Sequence, residues 1–358
     1  LMIKRIACLA TVLMLGACGT DSRSPAEPVD IDAEAQRIAM ASIIVDTHVD
    51  VPYRLAARPD DISQRTETGD FDYPRAVAGG LNAPFMSIYT PAAYEAEGKS
   101  KETAEKLIDL VESIVAANPD KFAIATSVAD VREQFAAGLV SLPMGMENGS
   151  PIEGDMANLQ HFYERGIRYL SLSHGSTNHL SDSSYDENHQ WEGISEFGAD
   201  VIREMNKLGI MVDVSHVSDD AFWQIMKITE TPVIASHSSA RHFTPGFERN
   251  MSDEMIVAVA EGGGVVQINF GSTFVNQAAR DYGDAQMAAG RAYAAEHPDL
   301  SEGFLYREFP KIYAAEHGPL PFASVDDVLD HFDHVVKLTG VDHVGIGSDY
   351  DGVGDSLP

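Results

Sequence analysis

His48 and Asp50 stand one residue apart, just after a short apolar run, Ile43–Val45. In extended backbone, residues i and i+2 point to the same side, so an imidazole and a carboxylate would face one place together. Imidazole with carboxylate is a donor set that suits zinc. The pattern recurs along the chain, where further apolar runs lead into Glu147, His174, His216, His237 and Asp349. Carboxylates gathered that closely would repel and raise one another's pKa values, and a pair of divalent cations removes the conflict. On this reading His48 and Asp50 hold one ion, His216 and His237 the other, and Glu147 bridges with one oxygen on each. Such ions, roughly 3.5–4 Å apart, share a hydroxide that serves as the nucleophile. Taken singly, a His-x-Asp pair or a histidine at a strand end is weak evidence, and Glu147 alone reads as an exposed carboxylate. The joint pattern carries the metal reading. His174 lies outside the ligand set and reads either as part of the chemistry or as a buried supporting histidine. Asp349 reads as a proton carrier or as a cap on the last barrel turn. The other histidines, including His161, His189, His242, His297, His317, His331, His334 and His343, show no comparable placement and read as surface or structural.

The elements that must position these groups can be read from the alternation of apolar runs and helical patterns. The runs are Ile43–Val45, Ala83–Tyr89, Val140–Met146, Ile167–Leu172, Ile210–Val214, Val233–Ala235, Val265–Phe270 and Val344–Gly347. Helical patterns run from Ser195 to Lys207, from Ser218 to Thr229 and from Ser324 to Leu338, with N-capping serines and with Gly209 and Gly340 past two of the ends. Eight strands with intervening helices is the count of a (β/α)8 TIM-type barrel, whose chemistry sits at the C-terminal ends of its strands. Six of the eight runs deliver a His, Asp or Glu to that rim.

Of 358 residues, 25 are Lys or Arg and 55 are Asp or Glu, a net charge of −30. That surplus disfavours binding to nucleic acid or to an anionic bilayer surface. The two cysteines, Cys8 and Cys18, both precede the folded body, which excludes a disulfide scaffold or cysteine-held zinc there. Lys4 and Arg5 precede an apolar stretch ending at Leu15-Gly16-Ala17-Cys18, the layout of a secretory signal. The ending resembles a bacterial lipobox, which makes Cys18 the lipidation point. The expected organisation is a signal peptide over 1–17, a flexible tether over 18–37 and a barrel over 38–358. The protein is then exported and held by its lipid anchor, outer membrane side, facing the periplasm.

These motifs resemble the membrane dipeptidase (renal dipeptidase) family of zinc peptidases over about Ile38 to Asp351. The specific ones are Asp46-Thr47-His48-Val49-Asp50, Gly145-Met146-Glu147-Asn148-Gly149, Arg168 through His174, Asp213 through Ser218, Pro232 through Ala240, Arg249-Asn250 and Gly347 through Gly352. The resemblance implies two zinc ions, held by His48 and Asp50 and by His216 and His237, with Glu147 between. It implies a dipeptide substrate, with L,L- and L,D-dipeptides both left open, His174 stabilising the tetrahedral oxyanion, Arg249 gripping the terminal carboxylate and Asp349 handling protons. A guanidinium fork matches a carboxylate two-pronged, and Arg241 nearby is the rival clamp. Homodimerisation is implied by resemblance only.

Residues 271–323, rich in alanine and aromatics, read as an insertion over the rim between strands seven and eight. The family continues with a further helix beyond strand eight, so the chain reads as cut short near Pro358, with an apolar face of strands one and eight left uncovered. Two alternatives stay open: another binuclear-zinc barrel hydrolase acting on a lactam, ester or N-acyl amino acid, and a non-catalytic surface lipoprotein. His-x-Asp on the first strand, in place of the His-x-His common in related barrels, favours the dipeptidase.

Overall fold

A computed structural model describes residues 30–297, 299–300, 308–354 and 357. Ten strands form in it: β1 Ile44–Val49, β2 Leu81–Tyr89, β3 Phe122–Ile124, β4 Val140–Leu142, β5 Met144–Glu147, β6 Ile167–Ser171, β7 Met211–Asp213, β8 Ile234–Ala235, β9 Val265–Ile268 and β10 Val344–Ile346. Eight of them close a parallel barrel in the order β1-β10-β9-β8-β7-β6-β5-β2. Because all run the same way, their C-terminal ends share one rim. The register brings Tyr89 beside Glu147, Ser171 beside Asp213 and Asp46 beside Ile346.

One expected strand is two. The run Val140–Met146 breaks at Pro143, which has no N–H to continue a ladder. On its near side β4 pairs with β3 in a separate two-stranded sheet, and on its far side β5 enters the barrel. The strand Phe122–Ile124 was not anticipated; three residues carry too little periodicity. The first strand also runs further than expected, through Asp46, Thr47 and His48 to Val49.

The helices form where capping and amphipathicity agree. Ser195 accepts from the Gly198 N–H at the start of Glu196–Leu208, which buries Val201, Ile202 and Met205 and stops at Gly209 with φ 83°. Ser218 caps Asp219–Ile228, and Ser324 with Asp327 forms a capping box on Val325–Thr339. Within 271–323, Ser272–Val275, Gln277–Glu296 and Phe309–His317 are helical, the latter two joined through Tyr282 with Tyr313 and Tyr293 with Phe309. Phe304 and Tyr306, like Cys18 and the whole of 1–29, lie outside the described residues. The expected tether does not reach residue 37: Ile31–Ala41 is a helix capped by Asp30. Among the described residues, no helix is long and apolar enough to cross a membrane.

The barrel interior alternates large and small. Tyr169 is fully buried, and Gly145 on the adjacent strand makes room for it, since a Cβ there would meet the Tyr169 ring at 2.0 Å. Strands β5 to β8 are buried almost throughout, whereas β10 is half-buried and Val45 of β1 is 38% exposed.

Candidate metal centre

Glu147, at the end of β5, is the centre of the rim. Its Oε2 lies 3.3 Å from Nε2 of His48, and its Oε1 lies 3.0 Å from Nε2 of His216 and 3.4 Å from Nε2 of His237. The two oxygens of one carboxylate thus face two different histidine groups. Asp50 joins the first side, with its Oδ2 3.6 Å from Nε2 of His48. Ser87 of β2 donates to Oε2 at 3.0 Å and fixes the carboxylate's rotation.

The histidines are held by their other ring nitrogens or by packing. Nδ1 of His48 meets the Tyr169 hydroxyl at 2.7 Å. Nδ1 of His237 lies 2.7 Å from Oγ of Ser236, whose hydroxyl donates to Asp213 at 2.7 Å. That chain places the His237 proton on Nδ1 and leaves the Nε2 lone pair facing the site, as in metal-ligating histidines. Asp213 is anchored in turn by the backbone N–H groups of Ser215 and Ser236. His216 packs between the rings of His174 and His237 and takes a left-handed φ of 71°. A non-glycine residue in that region is held there by its surroundings, a frequent feature of functional sites.

The residues present fit a cation. Nε2 of His48 and Oδ1 of Asp50 are buried without a hydrogen-bond partner, and Nε2 of His216 and Nε2 of His237 face each other at 2.8 Å. Buried polar atoms normally find partners. Burial works against a charge on His48, but Tyr169, Glu147 and Asp50 outweigh it and hold its pKa well above the usual value. Glu147 stays ionised well below the usual carboxylate range despite its burial, because His48 and His174 stand beside it. His216 and His237 are driven well below the usual imidazole value, chiefly by burial, and so are neutral donors. Three overlapping groups have ligand atoms within 4.8 Å of one another: His48, Glu147 and His237; Glu147, His174 and His216; and His48, Asp50 and Asp349.

Asp349 follows β10 with a left-handed φ of 63°. Asn269 donates to its Oδ2 at 2.7 Å. Burial, then the Asp50 and Glu147 charges, push its carboxyl well above the usual range, with His48 opposing. Gly352 is required there: a Cβ would lie 2.1 Å from Oδ1 of Asp349 and 2.2 Å from Oδ2 of Asp50. His174 sits at the mouth with its side chain 25% exposed, against Tyr89 at 4.7 Å. Desolvation lowers its pKa, Glu147 pulls it up and Arg249 adds to the depression. Arg249 is buried, donating to Oγ of Ser238 at 2.6 Å and the His237 carbonyl at 2.8 Å, with Nη2 3.0 Å from Nε2 of His216. Its Nε has no partner.

The two candidate clamps separate clearly. Arg241 is fully engaged, two-pronged to Asp219 and through Nε and Nη2 to the carbonyls of Asn250 and Glu248. It braces the loop that carries Arg249. Sequence reasoning missed Ser87, Tyr169 and Asn269, which touch Glu147, His48 and Asp349. Ser87 had a signal, a hydroxyl inside the apolar run Ala83–Tyr89; the other two are recognisable only from the register.

The profile of the family described as membrane dipeptidase (peptidase family M19) matches residues 32–357. The chain belongs to that family. A dipeptidase of Aspergillus oryzae is 31% identical over 293 residues, 80% of this chain and 60% of that protein. An uncharacterized dipeptidase of Schizosaccharomyces pombe is 27% identical over 331 residues, 88% of this chain and 70% of that protein. The chain thus spans less than two thirds of the Aspergillus relative. Among solved structures, the probable dipeptidase PvdM of Pseudomonas aeruginosa superposes with a TM-score of 0.77 at 24% identity, covering 91% of this chain and 87% of that one. A metallo peptidase of Rhodobacter sphaeroides, solved with a phosphinate mimic of L-Ala-D-Ala, gives 0.70 at 24%, covering 88% and 87%. Both share the barrel fold of the family.

Proposed function

We propose that this chain is a metal-dependent dipeptidase whose centre takes two zinc ions. The observation that carries the reading is Glu147: its Oε2 faces His48, beside Asp50, while its Oε1 faces His216 and His237, the two sides adjoining where His237 stacks on His48. Bound there, divalent ions supply Lewis acidity, acidifying a water and polarising a carbonyl. The chain's own residues do the rest. Arg249, beside His216 and with its Nε unpartnered, donates to the substrate's terminal carboxylate, which is desolvated there and therefore strongly held. His174 directs a ring N–H from the mouth toward the oxygen that gains charge as the carbonyl becomes tetrahedral. Asn269 occupies Oδ2 of Asp349, leaving Oδ1 to take a proton from the nucleophile and return it to the leaving amine. Anchoring a free carboxylate this close to the reacting centre limits the substrate to short peptides. The Rhodobacter neighbour's L-Ala-D-Ala mimic supports testing L,D- as well as L,L-dipeptides.

The test is metal analysis with a panel of L,L- and L,D-dipeptides. The expected result is two zinc ions per chain and turnover of dipeptides but not of tripeptides. Less than one zinc ion per chain with no dipeptide turnover overturns the reading. The reading extends to export and to a lipid anchor at Cys18, supported by the Leu-Gly-Ala-Cys ending. A Cys18→Ser change then moves the protein from the membrane to the soluble fraction, and unchanged fractionation refutes the anchor. It extends also to a homodimer by family likeness, read out by sedimentation.

A further inference from the structure

A second group of metal-ligating side chains lies away from the rim. His242, Asp253 and His334 offer ligand atoms that all fall within 4.8 Å of one another. They come from three elements: the single turn Arg241–Phe243, the first residue of helix Asp253–Glu261, and helix Val325–Thr339. Nε2 of His334 meets Oδ1 of Asp253 at 2.7 Å, and the His242 ring stacks on His334 at 4.4 Å with 20° between planes. None of the three touches the catalytic groups described above. In the sequence, His242 and His334 read as surface or structural residues, because nothing in the spacing joins them.

We infer that His242, Asp253 and His334 form a separate binding site for a borderline divalent transition ion such as zinc. Two imidazoles and one carboxylate are the donor set that zinc, nickel or copper prefers over magnesium or calcium. The arrangement is already braced without an ion, so binding need not order the chain. The Arg241 N–H donates to the Met251 carbonyl at 2.8 Å, and the Met251 N–H to the Ser239 carbonyl at 2.9 Å, which ties the His242 turn to the segment leading into Asp253. One turn before His334, Nδ1 of His331 accepts from the Ala240 N–H at 3.0 Å and Nε2 contacts the Val275 carbonyl at 3.1 Å. Phe243 packs on both His331 and His334. Three protein ligands leave a position for water, and the part-exposed surroundings let the ion enter and leave.

The site has a mechanical consequence. His242 and Asp253 flank residues 244–250, the loop that ends in Arg249 and Asn250. An ion joining them to His334 would fasten both ends of that loop to the long helix before β10. The ion therefore acts as an external clamp on the segment that carries Arg249, distinct from the ions at the rim.

The experiment uses the full chain already loaded with zinc and freed of excess, then dialysed against micromolar zinc, with bound metal counted by mass spectrometry. Wild type is expected to take up one further zinc ion and to gain thermal stability from it. His242→Ala and Asp253→Asn are expected to weaken that extra ion by about tenfold or more, a scale at which even supporting partners shift metal affinity, while keeping the tightly held complement. His242 is exposed, so its variant is expected to fold normally. Equal uptake by wild type and both variants overturns the proposal, as does no uptake beyond the tight complement. Displacement of the extra zinc by equimolar magnesium overturns it too, since it would mark carboxylate-driven binding without the imidazoles.

Discussion

His48 and His331 are both completely buried, yet their surroundings are opposite. Both ring nitrogens of His331 meet backbone groups, the Ala240 N–H and the Val275 carbonyl. His48 has one nitrogen engaged by Tyr169, while the other has no hydrogen-bond partner and faces Glu147 at 3.3 Å. A buried imidazole with complete partners is packing; one with a stranded nitrogen facing a buried carboxylate is placed as a metal ligand would be. Burial alone separates nothing here. The partner at each nitrogen does, and it can be broken selectively on either side.

The largest expected effect is at the shared carboxylate. Glu147→Gln removes the charge that faces both histidine groups, so zinc content should fall and dipeptide turnover should drop at least about 10³-fold, beyond the loss of a single stabilising donor. Full zinc occupancy in this variant would show that Glu147 does not join the two sets. Asp349→Asn should behave differently: the amide oxygen still accepts from Asn269, so metal content should stay and turnover should fall about 10²–10⁴-fold, the range for losing a general acid–base. Equal metal loss in both variants would erase the distinction between a ligand and a proton carrier.

Next in size is the comparison of the two arginines. Arg249→Lys keeps a charge but loses the fork, so kcat/KM should fall about tenfold or more, mostly through KM. Arg241→Lys disturbs the braces to Asp219, Asn250 and Glu248, so it should lower thermal stability with a smaller change in KM. Matching KM changes in the two variants would mean that the Arg249 loop, and not its guanidinium, sets binding.

Much of this was legible because barrel chemistry lies at strand ends, and strand ends are marked by where apolar runs stop. Glu147 follows such a run directly, His216, His237 and Asp349 follow theirs after a single serine, and His48 and Asp50 declare a shared side by their spacing. What stayed hidden depends on register across strands. Tyr169 reaches His48 from 121 residues away and Asn269 reaches Asp349 from 80, and no local pattern encodes either pairing. Pro143 is readable as a ladder break, but its flanks are apolar on both sides and so read as one run. The His242, Asp253 and His334 group fell to the same blindness, since three elements meet there that share no periodicity.

The smallest effect tests the satisfied side of the comparison. Burial lowers His331 to about 4, with the Val275 carbonyl opposing and His334 adding to the fall. Its accepted bond from Ala240 explains the preference for the neutral ring, because a proton on Nδ1 would displace that N–H. The folded pKa lies below the unfolded value of about 6.5, so between these limits the unfolded chain binds more protons. The stability from neutral His331 is therefore complete above about pH 6.5 and is lost as pH falls toward 4, at about 1 kcal/mol between pH 6 and 5. Acid also loosens metal at the rim, so the useful quantity is a difference. His331→Asn should be less stable than wild type at pH 7 by denaturant unfolding, and its deficit should narrow by about 1 kcal/mol between pH 6 and 5, since only wild type carries this titration. The rim contributes equally to both proteins and cancels. A deficit that stays constant across that interval would mean that His331 titrates alike folded and unfolded, and that its two backbone partners do not hold it neutral.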